Sequence, residues 1–363
     1  MPLSVLIAGG GTGGHLYPGI AVARELTARV PDAQVAFVGT SAGLEARVVP
    51  REGFALDLIR SAGLKGKSIG PLLRGLGLLP ASAAGAWSAL TRRRPNVVIG
   101  VGGYSSGPVV LLAALRRIPT LLLEQNAMPG LTNRLLAPVV DAAAVTYDES
   151  ARYFGSKAFV SGNPVRPEFF QDEGGHGHDG SPPGAARVLV FGGSQGAHAI
   201  NMAMVEAAPR LAADTRVAIT HQTGERDLEM VRDSYRRAGL EARVEPFLFA
   251  MDREMREADL VVCRAGATTL AELTASGRAS ILVPLPTAAD DHQRQNARAL
   301  VKQGAALMVE QRELSGDRVA AEIVALVADG ERRRSIGAAA RRLARPDAAR
   351  AIVDRVLGLA GVA

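Results

Sequence analysis

The sequence predicts an α/β fold with parallel sheets, and three observations carry that prediction. Short runs of consecutive apolar residues recur at Val5–Ala8, Val35–Val38, Val97–Val101, Thr120–Leu123, Val188–Phe191, Val217–Thr220 and Leu260–Cys263. Unbroken apolar runs mark strands buried on both faces, as in parallel sheets covered by helices. Longer amphipathic stretches of helical period separate them. The third observation is a loose internal repeat. A strand at Ser4–Ala8 runs into Gly9-Gly-Gly-Thr-Gly-Gly14, and a strand at Arg187–Phe191 runs into Gly192-Gly-Ser-Gln-Gly196. Each is a strand, a glycine-rich turn with a hydroxyl residue, then a helix. Two such openings predict two Rossmann-like domains in tandem.

The length of 363 residues suits two domains of roughly 150–200 residues each. Hydrophobic residues make up 47% and charged residues 21%, which excludes a disordered chain. Aromatics are only 4%, so the cores must be built from Ala, Val, Leu and Ile. Lys+Arg 42 against Asp+Glu 36 leaves a net charge of +6. That balance admits nucleic acid, an anionic membrane surface or a phosphorylated ligand. The single cysteine, Cys263, excludes a disulfide framework and a multi-cysteine metal site, and reads as a buried thiol.

Taken in order, the N-terminus has no basic region before its apolar run and enters a glycine loop directly. It reads as a first strand, not a signal peptide, and points to the cytoplasm. The glycine loop matches G-x-G-x-x-G through Gly9, Gly11 and Gly14. The next strand, Gln34–Val38, ends in Gly39-Thr40 without the acid that holds a dinucleotide's ribose, which argues against NAD. The glycines still allow close backbone approach, and the helix start offers N–H groups to an anion or polar group. His15 stands at that helix start. The positive dipole end lowers its basicity and leaves it able to accept a proton near neutral pH. A plain hydrogen-bonding role there is the alternative.

From Lys65 to Arg94, apolar residues and Trp87 are flanked by Lys65, Lys67, Arg74 and Arg92-Arg-Arg94. This suits an interfacial patch on anionic lipid, or an ordinary amphipathic helix. The stretch from Pro95 to Leu115 is uncharged and long enough to imitate a membrane span. Its Gly100, Gly102, Gly103, Gly107 and Pro108 make it a strand, a glycine loop and a helix instead. Ser161-Gly-Asn-Pro-Val-Arg-Pro167 and the polar segment Asp172–Gly184 separate the two repeats and read as a connector. His176, His178 and Asp179 within it read as solvated.

In the second half, Gly192–Gly196 can cradle phosphate oxygens with backbone N–H groups and the Ser194 hydroxyl. The strand Asp259–Cys263 leads into Arg264-Ala-Gly-Ala-Thr-Thr-Leu-Ala-Glu272, with a helix start expected at Gly266–Thr269. Glu272, expected in about the first turn, suits a ribose diol or the helix dipole. Pro284–Gln293 and Asn296 form a polar cluster after a strand, where α/β ligands sit. The chain has no D-x-D metal–diphosphate handle. Helix N-termini and an arginine would therefore neutralise a departing diphosphate.

Seven motifs occur in one order: Gly10-Gly-Thr-Gly-Gly-His15, Gly102-Gly-Tyr-Ser-Ser-Gly107, Glu124-Gln-Asn126, Gly162-Asn-Pro-Val-Arg166, Gly192-Gly-Ser-Gln-Gly196, Cys263-Arg-Ala-Gly-Ala-Thr-Thr-Leu-Ala-Glu272 and Asp291-His-Gln293. With them the chain resembles the MurG family, the lipid II-forming N-acetylglucosaminyltransferases of bacterial peptidoglycan synthesis. The resemblance runs from about Leu3 to Arg345. It implies a GT-B fold, two Rossmann-like domains facing across a cleft. Residues 1–165 would form the acceptor and membrane-side domain, joined by a returning helix at about 346–363. Residues 166–345 would bind UDP-GlcNAc.

The resemblance further implies inverting transfer of GlcNAc from UDP-GlcNAc to the 4-hydroxyl of MurNAc-pentapeptide on undecaprenyl diphosphate (lipid I). No cofactor and no metal are implied, and the site of action would be the cytoplasmic face of the membrane. Donor contacts carry over to Thr12, Gly13, Gly14, Asn126, Arg166, Ser194, Leu248, Ala267, Thr268, Thr269, Leu270, Ala271, Glu272 and Gln293. Gly103, Tyr104 and Ser105 fall on the acceptor side. His15 is the first candidate base and Glu124 the second. Arg166, Ser194 and the helix start would stabilise UDP, Glu272 would hold ribose, and Gln293 would read GlcNAc hydroxyls. Three rivals are a transferase with another acceptor, an NAD-dependent oxidoreductase and a nucleic-acid-binding module. Few aromatics and no nucleic-acid motif weigh against the last.

Overall fold

The computed structural model describes residues 2–61, 78–170, 185–193, 196–214 and 216–362. The chain divides into two compact units, Met1–Val165 with Arg345–Ala363, and Arg166–Ala344.

The first unit holds seven strands: β1 (Ser4–Gly9), β2 (Gln34–Gly39), β3 (Ala55–Leu58), β4 (Val97–Gly102), β5 (Thr120–Glu124), β6 (Ala142–Val145) and β7 (Ala158–Val160). They pair in parallel in the order β3-β2-β1-β4-β5-β6-β7. Val5 and Ile7 of β1 join Phe37, Ile99 and Leu121 in one core, while Leu6 and Ala8 join Val38, Val98 and Leu122 in another. Two buried faces explain why the strands are unbroken apolar runs. The first core also takes Ile352, Val353 and Val356 of the last helix, Ala348–Ala360. Arg29 and Asp354 pair across that contact at 2.6 Å.

The second unit repeats the plan with six strands: β8 (Ala186–Phe191), β9 (Val217–Gln222), β10 (Ala242–Glu245), β11 (Leu260–Cys263), β12 (Ala279–Leu282) and β13 (Leu307–Met308). Their order is β10-β9-β8-β11-β12-β13, again parallel. In both units the chain winds outward from its first strand, then crosses back and winds the other way. The order reverses between β1 and β4, and between β8 and β11. A ligand crevice opens beyond the strand C-termini at such reversals.

The uncharged stretch is β4, a loop and the helix Ser106–Leu115. Among the described residues no helix is long and apolar enough to cross a membrane. Strands outside the apolar runs were harder to read. β6 is Ala-Ala-Ala-Val, a composition with helical preference, and it is a strand because both its neighbours pair with it. The Asp172–Gly184 connector lies outside the described residues.

Candidate active site

In the first unit the two glycine turns meet at the β1/β4 reversal. Gly9, Gly10 and Gly11 have φ of 143°, 142° and 87°, and Gly102 and Gly103 have 94° and 82°. The turns interlock backbone to backbone. The Gly10 N–H donates to the Gly102 carbonyl at 3.4 Å. A Cβ on Gly9 would sit 2.3 Å from that same oxygen, and one on Gly103 would sit 2.5 Å from the Gly10 oxygen. Thr12 is the N-cap of the helix Gly13–Arg29, so Gly13, Gly14 and His15 are its first three residues. His15 is half-buried, with Nδ1 3.3 Å from the Thr12 hydroxyl. Tyr104 is exposed and Ser105 buried, and the Tyr104 carbonyl accepts the Ser61 hydroxyl at 3.0 Å.

Glu124 ends β5 and is 3% exposed. Oε1 accepts the Asn126 N–H at 3.0 Å and its amide at 3.2 Å. Oε2 accepts the Gly130 N–H at 3.1 Å and the Asn133 amide at 2.8 Å. Burial pushes the carboxyl up, while these four donors pull it down. Both oxygens are engaged in shaping the loop that presents Asn126. This geometry suits a brace better than a base.

Sequence reading missed Glu45, whose buried carboxylate bonds Gly11 and Thr40. The signal available was small residues on both sides, Gly39, Gly43 and the loop glycines, around one acid. Residues 62–77, with Lys65, Lys67 and Arg74, lie outside the described residues. Arg92 and Arg93 both pair with the buried Asp57, at 3.2 and 2.9 Å, while the Arg92 side chain stays 62% exposed. Trp87 is 54% exposed, with the Arg116 guanidinium 4.8 Å from its ring centre.

In the second unit, the second glycine turn is packed on β9. A Cβ on Gly196 would sit 1.9 Å from the Thr223 carbonyl, and Gln222 donates to the Gly193 carbonyl at 3.0 Å. Asn201 and His198 both bond Asp227 beneath this turn, at 2.8 and 2.9 Å. Ser194 lies outside the described residues. Beyond β11, Gly266 is the extended N-cap of the helix Ala267–Ser276, with no side chain capping it. Ala267, Thr268 and Thr269 therefore form its first turn, an anion-facing end. Glu272 is the sixth residue of this helix, just past its first turn.

Glu272 is half-buried. Loss of water pushes its carboxyl up to about 7, against the positive charge of Arg166 and with help from Asp252. Arg166 is itself half-buried, with its guanidinium 5.0 Å from the Phe169 ring centre. Leu270 is buried and Ala271 half-buried on the same helix. Leu248 is buried, while its chain neighbours Phe247 and Phe249 are exposed, their rings meeting edge-on at 4.9 Å. Gln293 accepts the Leu285 N–H at 3.0 Å, which orients its amide. Just before it, Asp290 and Asp291 hold φ of 52° and 57°. Two consecutive non-glycine residues in this region store strain of the kind found at ligand-binding loops. Among the described residues, no group of three or more His, Cys, Asp or Glu could hold a metal ion.

The comparisons agree with this architecture. Residues 5–145 match the glycosyltransferase family 28 N-terminal domain, and residues 187–352 match the family 28 C-terminal domain. A protein of Anaeromyxobacter sp. (strain K) is 52% identical over 97% of this chain and 92% of its own length. One of Pelobacter propionicus is 50% identical over 98% of this chain and 99% of its own. Both are named UDP-N-acetylglucosamine–N-acetylmuramyl-(pentapeptide) pyrophosphoryl-undecaprenol N-acetylglucosamine transferase. The crystal structure of Acinetobacter baumannii MurG has a TM-score of 0.80 at 29% identity, covering 98% of this chain and 100% of that one. The chain belongs to the MurG family. As in that MurG structure, its two doubly wound domains are those of the GT-B class. All seven MurG-like motifs include or adjoin turns, linkers or helix starts, the places where an α/β protein changes sequence without changing its sheets.

Proposed function

We propose that this chain is the inverting N-acetylglucosaminyltransferase that moves GlcNAc from UDP-GlcNAc to the 4-hydroxyl of MurNAc-pentapeptide in lipid I, forming lipid II. The observation that carries this is identity near 50% over nearly the whole chain to proteins named for that transfer.

Inversion requires attack on the anomeric carbon from the face opposite UDP. Three tasks follow: removing the acceptor proton, aligning the partners and stabilising the departing diphosphate. His15 is the base in this reading. Its Nδ1 faces the Thr12 hydroxyl, whereas both Glu124 oxygens already accept two donors each. Arg166, Ser194 and the helix start at Ala267–Thr269 take the diphosphate, with Thr12, Gly13 and Gly14 near the transferred sugar. Glu272 accepts the ribose hydroxyls, Leu248 meets the uracil, Gln293 reads GlcNAc hydroxyls, and Asn126 is a donor contact. Gly103, Tyr104 and Ser105 line the acceptor side. The first unit is thus the acceptor unit and the second the donor unit.

The lipid acceptor calls for a peripheral membrane surface. Exposed Trp87, with Leu111 and Leu115 on the neighbouring helix, supports one on the first unit. The test is direct: purified enzyme is given UDP-GlcNAc with lipid I, or with other lipid and natural-product glycosyl acceptors. Lipid II formed from lipid I alone supports the reading. Turnover only on another acceptor sinks it.

A further inference from the structure

The first glycine loop differs from a phosphate-binding turn in one respect: a carboxylate already occupies it. Glu45 opens the helix Glu45–Arg51 and is 1% exposed. Its Oε2 accepts the Gly11 N–H at 2.7 Å. Its Oε1 accepts the Thr40 N–H at 2.8 Å and the Thr40 hydroxyl at 3.0 Å. Glycines cradle it. A Cβ on Gly10, Gly39 or Gly43 would fall 2.4, 2.3 or 2.2 Å from a Glu45 side-chain atom. The acid missing from the end of β2 therefore arrives from the following helix, and it grips the loop from beneath.

We propose that Glu45 is a positioning residue for transfer, holding the first glycine loop in the shape that sets His15 toward the acceptor hydroxyl. This rests on His15 as the base. Gly11 has φ of 87° and open space where a side chain would be, so no side chain of its own pins it. A glycine run loses the most backbone freedom on ordering. Hydrogen bonds to an ionised carboxylate are about twice as strong as neutral ones and can supply the missing restraint. Thr12, the next residue, stands at the N-cap position of the helix, and its hydroxyl lies 3.3 Å from Nδ1 of His15. The carboxylate also offsets the loop's attraction for anions. That suits a turn that meets neutral hydroxyls and a histidine gaining positive charge.

Glu45→Gln tests this, because its amide nitrogen must face either the Gly11 or the Thr40 N–H. We expect kcat to fall about 10- to 100-fold, since small misplacement of a reacting group costs that much. The KM for UDP-GlcNAc and the Kd for UDP should stay within about twofold, the pattern of an interaction made only in the transition state. Asp57→Asn is the control for general loosening of the same unit. A folded Glu45→Gln enzyme with near-normal kcat overturns the proposal. So does a rise in KM that matches the fall in kcat, or an equal kcat loss in Asp57→Asn. Should Glu45→Gln not fold, Thr40→Val, which removes one donor, and Gly43→Ala, which crowds the carboxylate, decide on the same readings. His15→Ala is assayed alongside. Full activity there ends the base reading, whereas inactive His15→Ala with active Glu45→Gln ends this one.

Discussion

The imidazole of His15 rests on the backbone of Gly102. A Cβ at Gly102 would fall 2.7 Å from Cδ2 of the ring and 3.0 Å from Nε2. Gly102 also holds a φ of 94°. The seat of the candidate base is thus the bare backbone of a glycine at the end of a different strand.

Gly102→Ala should strain the backbone and push the ring aside. The expected loss in kcat is about 10- to 100-fold with UDP binding retained, as for other misplacements of reacting groups. His15→Ala should lower kcat by about 10²- to 10⁴-fold, again with UDP binding retained. Steady-state kinetics with lipid I, paired with calorimetric UDP titration, separates the two effects. Wild-type kcat in both variants would remove His15 from the chemistry.

Glu272 should make donor binding depend on pH. Its carboxyl is pushed up to about 7, and a ribose diol needs the ionised acceptor. Affinity for UDP-GlcNAc, whose diphosphate keeps its charge here, should rise as pH increases through about 7 and then level off. Binding near neutral pH should release protons, seen as a buffer-dependent heat. Glu272→Gln should flatten this dependence and weaken binding about tenfold, as expected for a lost charged hydrogen bond. A flat profile in the natural protein would remove Glu272 from the ribose.

The pair of arginines on Asp57 predicts an acid-sensitive contribution to stability. The Arg93 guanidinium bonded to Asp57 holds its carboxyl below the usual range, with Arg92 adding to the pull. A depressed carboxyl stabilises the fold above its unfolded value and loses that effect as pH falls through its folded value. Asp57→Asn should cost about 2 kcal/mol at neutral pH, discounted because both arginines reach water. The gap from wild type should close below about pH 4. Urea unfolding across pH measures it, and a gap that persists in acid would reject the ionic origin.

Trp87 predicts how the first unit meets lipid. Its exposed ring carries Arg116 on one side, an apolar body beside a cation. Trp87→Ala should reduce binding to anionic vesicles several-fold, since burying such a ring contributes about 1.5–3 kcal/mol when complete. Added salt should weaken binding by the natural protein through screening. Equal binding to neutral and anionic vesicles at every ionic strength would dismiss the electrostatic part.

The glycine turns were legible because their requirement is local. Positive φ and close backbone approach leave a direct mark on sequence, as at Gly9–Gly11 and Gly102–Gly103. Glu45 was not legible, because it acts on Gly11 from another element, across a turn and a strand. Glu124 was legible as a motif but not in role, since its four donors come from Asn126, Gly130 and Asn133 through the fold of one loop.

Sequence alone determined the parallel α/β architecture, the doubled strand–glycine–helix plan and the family. Each depends on local backbone preference, or on apolar runs that keep their meaning wherever the strands lie. Tertiary structure decided which charges are spent and which are available. It set Arg93 and the still-exposed Arg92 against Asp57, and committed Glu45 to the first glycine loop and both Glu124 oxygens to the Asn126 loop. The reason is physical: the state of a polar group depends on its neighbours within a few ångströms and on the water it has lost. Folding sets both, through contacts between residues far apart in the chain.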